Sequence, residues 1–568
     1  MSARDERRTL TPRPSLHDYA LFRHGIEPDG RVPRRGFPLP DEHPGPPPAR
    51  PDLRRQRARD EVTAALAPLL ADPDPVRAAA GVHRAVRELR MPHHTVHAHV
   101  PRPAPGHVTA ARRTARRLAA HGTDVAAVAV GIALLRHLGE PEDVQVLRTL
   151  GLLKALRRAA TAALDPLDRR AAALLVLADR NRSGELTALL DAAVADGAEG
   201  SAARDALVAL TGSDDPPDRD SAARWLPRRI AEAARLDRLL RARPDDARLL
   251  LCAGRLLRAM SGDRQDRAEV LDYRPATAVY EALAATAPRL PATPDRRTLL
   301  TATASDLHSG ASALLDWAPG RREALLAALG PVRRPAGGAA GGPEPLRIEV
   351  VVEDPDHDPL VETRILVGGR PLLPALFRRG PGHTPEQLLD TGALRAGDAP
   401  REVQLAEAYC TEGCCGALYV TVRREGGEVV WDGWRGASAG PPPAALRFDA
   451  AAYEAEVARA EHDRGWSWPA RETARLIRAA LRDRPELAAR WGVRRVSVAT
   501  AWRDPERVLV SFEYRPGPGD GPCLYFTWEL GPGVGAEEAV ERFATADPKS
   551  YARLTGGAPT LATALGYA

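Results

Sequence analysis

The sequence predicts a two-part chain, an all-α helical array followed by an α+β domain with a mostly antiparallel sheet. Three observations carry this reading. Apolar residues recur at helical spacing from about residue 60 to 330, interrupted by short turns rich in proline and glycine. Residues 331–345, Pro-Val-Arg-Arg-Pro-Ala-Gly-Gly-Ala-Ala-Gly-Gly-Pro-Glu-Pro, have the composition of a linker. Beyond it the apolar period changes to two, and strand groups are separated by helical stretches.

Taken in order, residues 1–58 hold Pro33, Pro38, Pro40, Pro44 and the run Pro46-Pro47-Pro48, which predicts an extended, partly disordered lead rich in proline and arginine. Within it, Leu16 to Phe22 has enough apolar and aromatic character to dock on something. The helical domain is expected over 59–330. Its most regular unit is the hairpin Asp124–Leu156, where Val125, Val128, Ile132 and Leu135 form one stripe and Val144, Leu147, Leu150 and Leu153 another. Between them, Gly139 suits a left-handed helix end, Pro141 a first helical position, and Glu142 and Asp143 the positive end of the next helix dipole.

The same helix, turn, helix order is written in Leu66-Ala-Pro-Leu-Leu-Ala-Asp-Pro-Asp-Pro-Val-Arg-Ala-Ala-Ala. A third unit follows the hairpin at an offset of 42 residues, which carries Val125 to Leu167, Leu135 to Leu177 and Leu147 to Leu189. Leu69-Leu70, the Asp-Pro turn and Val76-Arg77 followed by small residues resemble a HEAT repeat. Leu138 to Val144 resembles the related repeats of the phycobilisome-lyase type. The resemblance covers roughly 60–330 and implies a HEAT-like α-solenoid, an architecture that offers an extended surface to partners.

Past the linker, strands are expected at 346–353, 360–367, 402–409, 417–423, 428–434, 494–502, 506–515 and 522–530, and helices at about 450–463, 469–483 and from Ala536. This Trp-rich domain, 346–568, contains Tyr409-Cys-Thr-Glu-Gly-Cys-Cys-Gly-Ala-Leu-Tyr-Val-Thr-Val-Arg-Arg and Trp466-Ser-Trp-Pro-Ala-Arg. Through these segments it resembles a group of uncharacterised actinobacterial proteins of no assigned function. That resemblance implies no activity.

Composition sets bounds. The chain has 568 residues, 44% of them hydrophobic, and a net charge of +5. Only Lys154 and Lys549 are lysines, a usage that reads as bacterial high-GC coding bias. Residues 346–568 carry 27 Lys+Arg against 32 Asp+Glu, which leaves the front half basic. The longest apolar run, Val125 to Leu135, is too short to cross a bilayer, and the first residues lack the apolar core of a signal peptide, so a cytoplasmic protein without a membrane partner is expected. Five cysteines do not make a disulfide framework.

Cys410, Cys414 and Cys415 are the sharpest candidate site, with His383 and Cys523 as distant completions. Thiolates at close spacing suit zinc, the one cofactor the sequence suggests. Against this, cysteines on extended backbone at a strand start point to opposite faces. His93-His94-Thr-Val-His97-Ala-His99 offers imidazoles but lies among prolines, as in a solvated loop. Glu353-Asp354-Pro355-Asp356-His357-Asp358 concentrates acids in a turn. Arg112, Arg113, Arg116 and Arg117 lie at i,i+4 spacing on a helix that can track phosphates, without aromatic residues to stack bases. Trp466 and Trp468 are the expected exposed pair for a binding surface. Nucleotide-binding glycine loops, nucleophile elbows and helical zinc-protease patterns are absent from the sequence, which lowers the weight of enzyme readings. The leading expectation is a non-enzymatic scaffold that binds a protein partner. Nucleic-acid binding through the basic front half and a zinc-stabilised module at the cysteines are the alternatives.

Overall fold

The structure, a computed structural model, describes residues 14–27, 32–40, 55–181, 183–195, 200–212, 226–262, 268–287, 293–329, 345–352, 361–410, 412–501, 504–517, 521–531 and 533–567. The chain forms two compact units, Met1–Ala259 and Met260–Ala568, so the division falls within the helix Ala247–Gly262. Residues 331–344 of the expected linker lie outside the described residues.

The first unit is helical. Its centre is the helix Val125–Leu138, in which every residue from Ala126 to Leu135 is buried. The sequence suggested a one-sided stripe; a helix apolar all round is instead enclosed. It packs on Pro75–Leu89, His93–Ala98, Val108–His121 and Arg157–Leu164. Asp124 starts it by accepting the amide hydrogens of Ala126 and Ala127 at 2.9 and 3.3 Å. Gly139 ends it with φ −67°, not left-handed as expected. Its glycine meets a packing need, since a Cβ there would lie 2.4 Å from the Leu135 carbonyl oxygen and 2.9 Å from Leu167. The next arm opens with a 3₁₀ turn, Pro141–Asp143, closed by a capping box between Glu140 and Asp143. Leu16 to Phe22 of the lead lies in the helix Leu16–Gly25, where Leu16 and Ala20 join the core.

Among its described residues the second unit combines helices with three antiparallel sheets, where one was expected. Strands β1 (Leu346–Val352), β2 (Val361–Val367) and β3 (Arg370–Pro371) form the first sheet. Strands β4 (Arg401–Glu407), β5 (Ala417–Glu425), β6 (Glu428–Arg435) and β7 (Leu446–Asp449) form the second. In the third, β8 (Val493–Ala501), β9 (Asp504–Tyr514), β10 (Leu524–Glu529) and β11 (Arg553–Gly557) run in the order β11-β10-β9-β8. The β5–β6 hairpin closes on the pair Glu425 and Glu428 around Gly426 at φ +62°. Trp431 is fully buried and donates to the Tyr453 hydroxyl at 3.2 Å, which donates to the Leu394 carbonyl at 2.6 Å.

Helices Ala276–Thr286, Pro294–Ser309 and Arg321–Leu329, expected to close the solenoid, belong to this second unit. Polar groups tie Pro294–Ser309 to β1 and β2. His308 Nε2 lies 3.0 Å from Glu349 Oε1, and Arg364 reaches both the Ser305 carbonyl and Ser309. Burial alone would raise the Glu349 carboxyl; the hydrogen bond and charge of His308, with Ser309 and Arg364, outweigh it and hold the group below the usual range. Asp306 accepts the hydroxyls of Tyr280, at 3.1 Å, and Ser312.

Candidate metal centre

The cysteine segment joins β4 to β5 at one end of the second sheet. After β4 the Tyr409 amide donates to the Arg379 carbonyl at 3.0 Å, and Glu412–Cys415 then forms a single helical turn. Glu407 starts this turn by accepting the Glu412 amide at 2.9 Å. Gly416 ends it at φ +93°, a region costly for a residue with a Cβ, and its amide donates to the Glu412 carbonyl at 2.8 Å. Two side chains hold the turn against the sheet. The Tyr419 hydroxyl donates to Glu412 Oε1 at 2.6 Å, and Arg379 Nη1 donates to the Cys415 carbonyl at 3.1 Å. The Arg435 guanidinium covers the Tyr419 ring at 4.2 Å and pairs with Glu402 at 2.9 Å.

This geometry removes the objection raised by an extended backbone. On a helical turn, neighbours diverge by about 100° rather than 180°. The sulfurs of Cys410, Cys414 and Cys415 all lie within 4.8 Å of one another, with Cys414 and Cys415 3.7 Å apart. Zinc–sulfur bonds of about 2.3 Å in a tetrahedron place two sulfurs about 3.8 Å apart. A disulfide would need about 2.05 Å. The separation therefore suits shared coordination, and none of the three forms a disulfide.

Cys410 and Cys414 are exposed and Cys415 half-buried. Hydrogen bonding to Cys410 and then to Cys414 pushes the Cys415 thiol up to about 11. A thiol so reluctant to ionise is a poor nucleophile at neutral pH, whereas a metal can displace its proton.

The proposed completions lie elsewhere. His383 is half-buried, its backbone amide donating to the Leu405 carbonyl at 2.9 Å, and burial lowers its imidazole pKa despite hydrogen bonding to Gln404. Cys523 precedes β10, and its carbonyl accepts the Ala558 amide at 3.0 Å. Among the described residues no fourth His, Cys, Asp or Glu lies within 4.8 Å of all three sulfurs. The sequence reading missed Arg379, Glu407 and Tyr419, which position the turn. Gly413 and Gly416 around the cysteine pair were the available signal that the backbone bends there.

The other candidates are dispersed. In the first unit Arg112 pairs with Glu140 and, at 3.6 Å, with Asp143, while Arg116 Nε donates to Asp143 at 2.6 Å. Arg113 and Arg117 remain on the exposed side of that helix. Trp466, expected on the surface, is 6% exposed, and Trp468 is half-buried. Their indole nitrogens donate to the carbonyls of Asp463 at 2.7 Å and Pro505 at 2.8 Å, and Arg471 lies near both rings. The histidine segment is the helix His93–Ala98 rather than a loop, with His93 Nε2 3.0 Å from the Ala155 carbonyl. The acidic stretch 353–358 lies outside the described residues. No helix among the described residues is long and apolar enough to cross a membrane. No family model, no curated protein and no solved structure matches the chain.

Proposed function

We propose that this chain is a metal-binding protein whose second unit holds one thiophilic divalent cation, zinc, on Cys410, Cys414 and Cys415. The observation that carries this reading is the convergence of three sulfurs within 4.8 Å on a turn braced by Glu407, Arg379 and Tyr419. Bound there, zinc would fasten the β4–β5 connection to itself. Elemental analysis of the full chain, purified with a phosphine reductant, is expected to give one zinc per chain and none in the Cys410→Ser/Cys414→Ser/Cys415→Ser variant. A metal-free wild-type chain that also refuses added zinc contradicts the proposal.

A second reading, the scaffold role, concerns the first unit. On the helix Leu16–Gly25 and its C-cap, Phe22 and Ile26, one turn apart, are 63% and 58% exposed, an apolar pair suited to a protein contact. Cross-linking mass spectrometry in the source organism tests it: recurrent links from this helix to one protein are expected, and links scattered without preference refute it.

A further inference from the structure

We propose that the fourth coordination position of the metal on Cys410, Cys414 and Cys415 is open to solvent and is filled by a thiolate from a separate molecule. The inference rests on the metal-binding reading and adds the class of ligand that the site receives. Zinc bound by protein completes a tetrahedron, and a site with three protein ligands leaves one position for water or an incoming group. Three sulfurs converge here, and no fourth donor among the described residues shares their 4.8 Å radius.

Two neighbouring carboxylates already hold the turn. Glu407 receives the Glu412 amide and Glu412 receives the Tyr419 hydroxyl, so turning either toward the metal would release the turn that gathers the cysteines. Among the described residues nothing closes over Gly413 and Gly416. Cys410 and Cys414 are exposed, and a Cβ built on Gly413 or Gly416 meets nothing within 4 Å. Thiolate sulfur is itself a good zinc ligand, and one from a separate molecule would complete a four-sulfur tetrahedron, the commonest structural shell for this ion. Sulfur donors of this kind come from a low-molecular-weight thiol or from a cysteine on a peptide. In either case the site exchanges a ligand, unlike a closed structural zinc site.

Cobalt(II), a tetrahedral stand-in for zinc, makes the test spectroscopic. The full chain, reduced with a phosphine and loaded with one equivalent of cobalt, is titrated with 2-mercaptoethanol in one arm and with a short single-cysteine peptide in another. The thiolate-to-cobalt charge-transfer absorbance is expected to begin at the level of three sulfurs and to rise saturably by about one third as three thiolates become four. A response in one arm alone supports the proposal and identifies the source. The Cys410→Ser variant should start at about two thirds of the wild-type absorbance. Four-sulfur absorbance before any thiol is added, or three-sulfur absorbance that thiol leaves unchanged, overturns the open position while leaving the metal site standing. Failure to take up cobalt or zinc at all overturns the metal-binding reading itself.

Discussion

Adjacent side chains on a strand project to opposite faces, whereas on a helix they diverge by about 100°, and this difference brings Cys414 and Cys415 together. The sequence placed both cysteines at a strand start and so gave reason to doubt shared coordination. The structure inserts one helical turn, made possible by Gly416 at φ +93°. Replacing Gly416 with Ala meets no steric neighbour, so the cost is backbone strain alone, about 1–2 kcal/mol. Denaturant unfolding should show that loss, and zinc affinity should fall with it because the turn unwinds from the sulfurs. A different kind of residue is Ile132, fully buried at the centre of the first unit. Ile132→Ala should cost about 2–5 kcal/mol, the transfer term plus a cavity, read as a lower unfolding midpoint for the first unit.

At the scale of elements, the helix Pro469–Asp483 meets the short turn Pro385–Leu388 through buried charge. Arg471 and Arg478 face Glu386, and Arg475 with Arg464 face Asp390. Burial would raise the Glu386 carboxyl, but Arg471 and Arg478 outweigh it and hold it below its usual value. Because the folded state depresses this group, its contribution is present above the unfolded pKa of about 4.3 and is lost as pH falls through the folded value. Stability measured against pH should therefore decline on that acidic limb, and Glu386→Gln should flatten part of the decline while lowering stability at neutral pH. Glu386→Ala, which strands two guanidinium groups, should cost about 3–5 kcal/mol at pH 7. An unchanged acid limb in Glu386→Gln would remove this group from the account.

The elements differ in how legible they were. Period-two alternation located the long strands β1, β2, β4–β6 and β8–β10 to within a few residues. The short strands β3, β7 and β11 are only 2, 4 and 5 residues long and carry too little pattern to read. Sheet partition was also hidden, since pairing is settled by side chains distant in sequence. Pro141 announced a helical start correctly, as a missing amide acts locally. Gly139 misled because its reason is the neighbouring Leu167, not its own dihedral angles. Trp466 and Trp468 misled for a similar cause, their indole groups being satisfied by carbonyls and covered by Arg471.

For the molecule as a whole, the change from helical to alternating pattern near residue 345 marks a change of secondary structure, while the compact units divide at Ala259 and Met260. Polar contacts help explain why the helix Pro294–Ser309 goes with the sheets. Without Pro294–Ser309, Glu349 loses His308 and Arg364 loses Ser309, leaving charged groups short of partners. A fragment spanning 260–568 should unfold cooperatively, and one spanning 346–568 should be less stable or fail to fold; equal stability by denaturant titration would show those contacts to be dispensable. The one cluster of converging metal donors among the described residues lies in the second unit.

Native mass spectrometry of the full chain in a phosphine-reduced, thiol-free buffer tests that central claim most directly. One zinc bound per chain, with proton loss matching thiolate ligation and no zinc when Cys410, Cys414 and Cys415 are all serine, is the predicted result. A wild-type chain that stays metal-free under excess zinc, or a triple-serine variant that binds it equally, would contradict it.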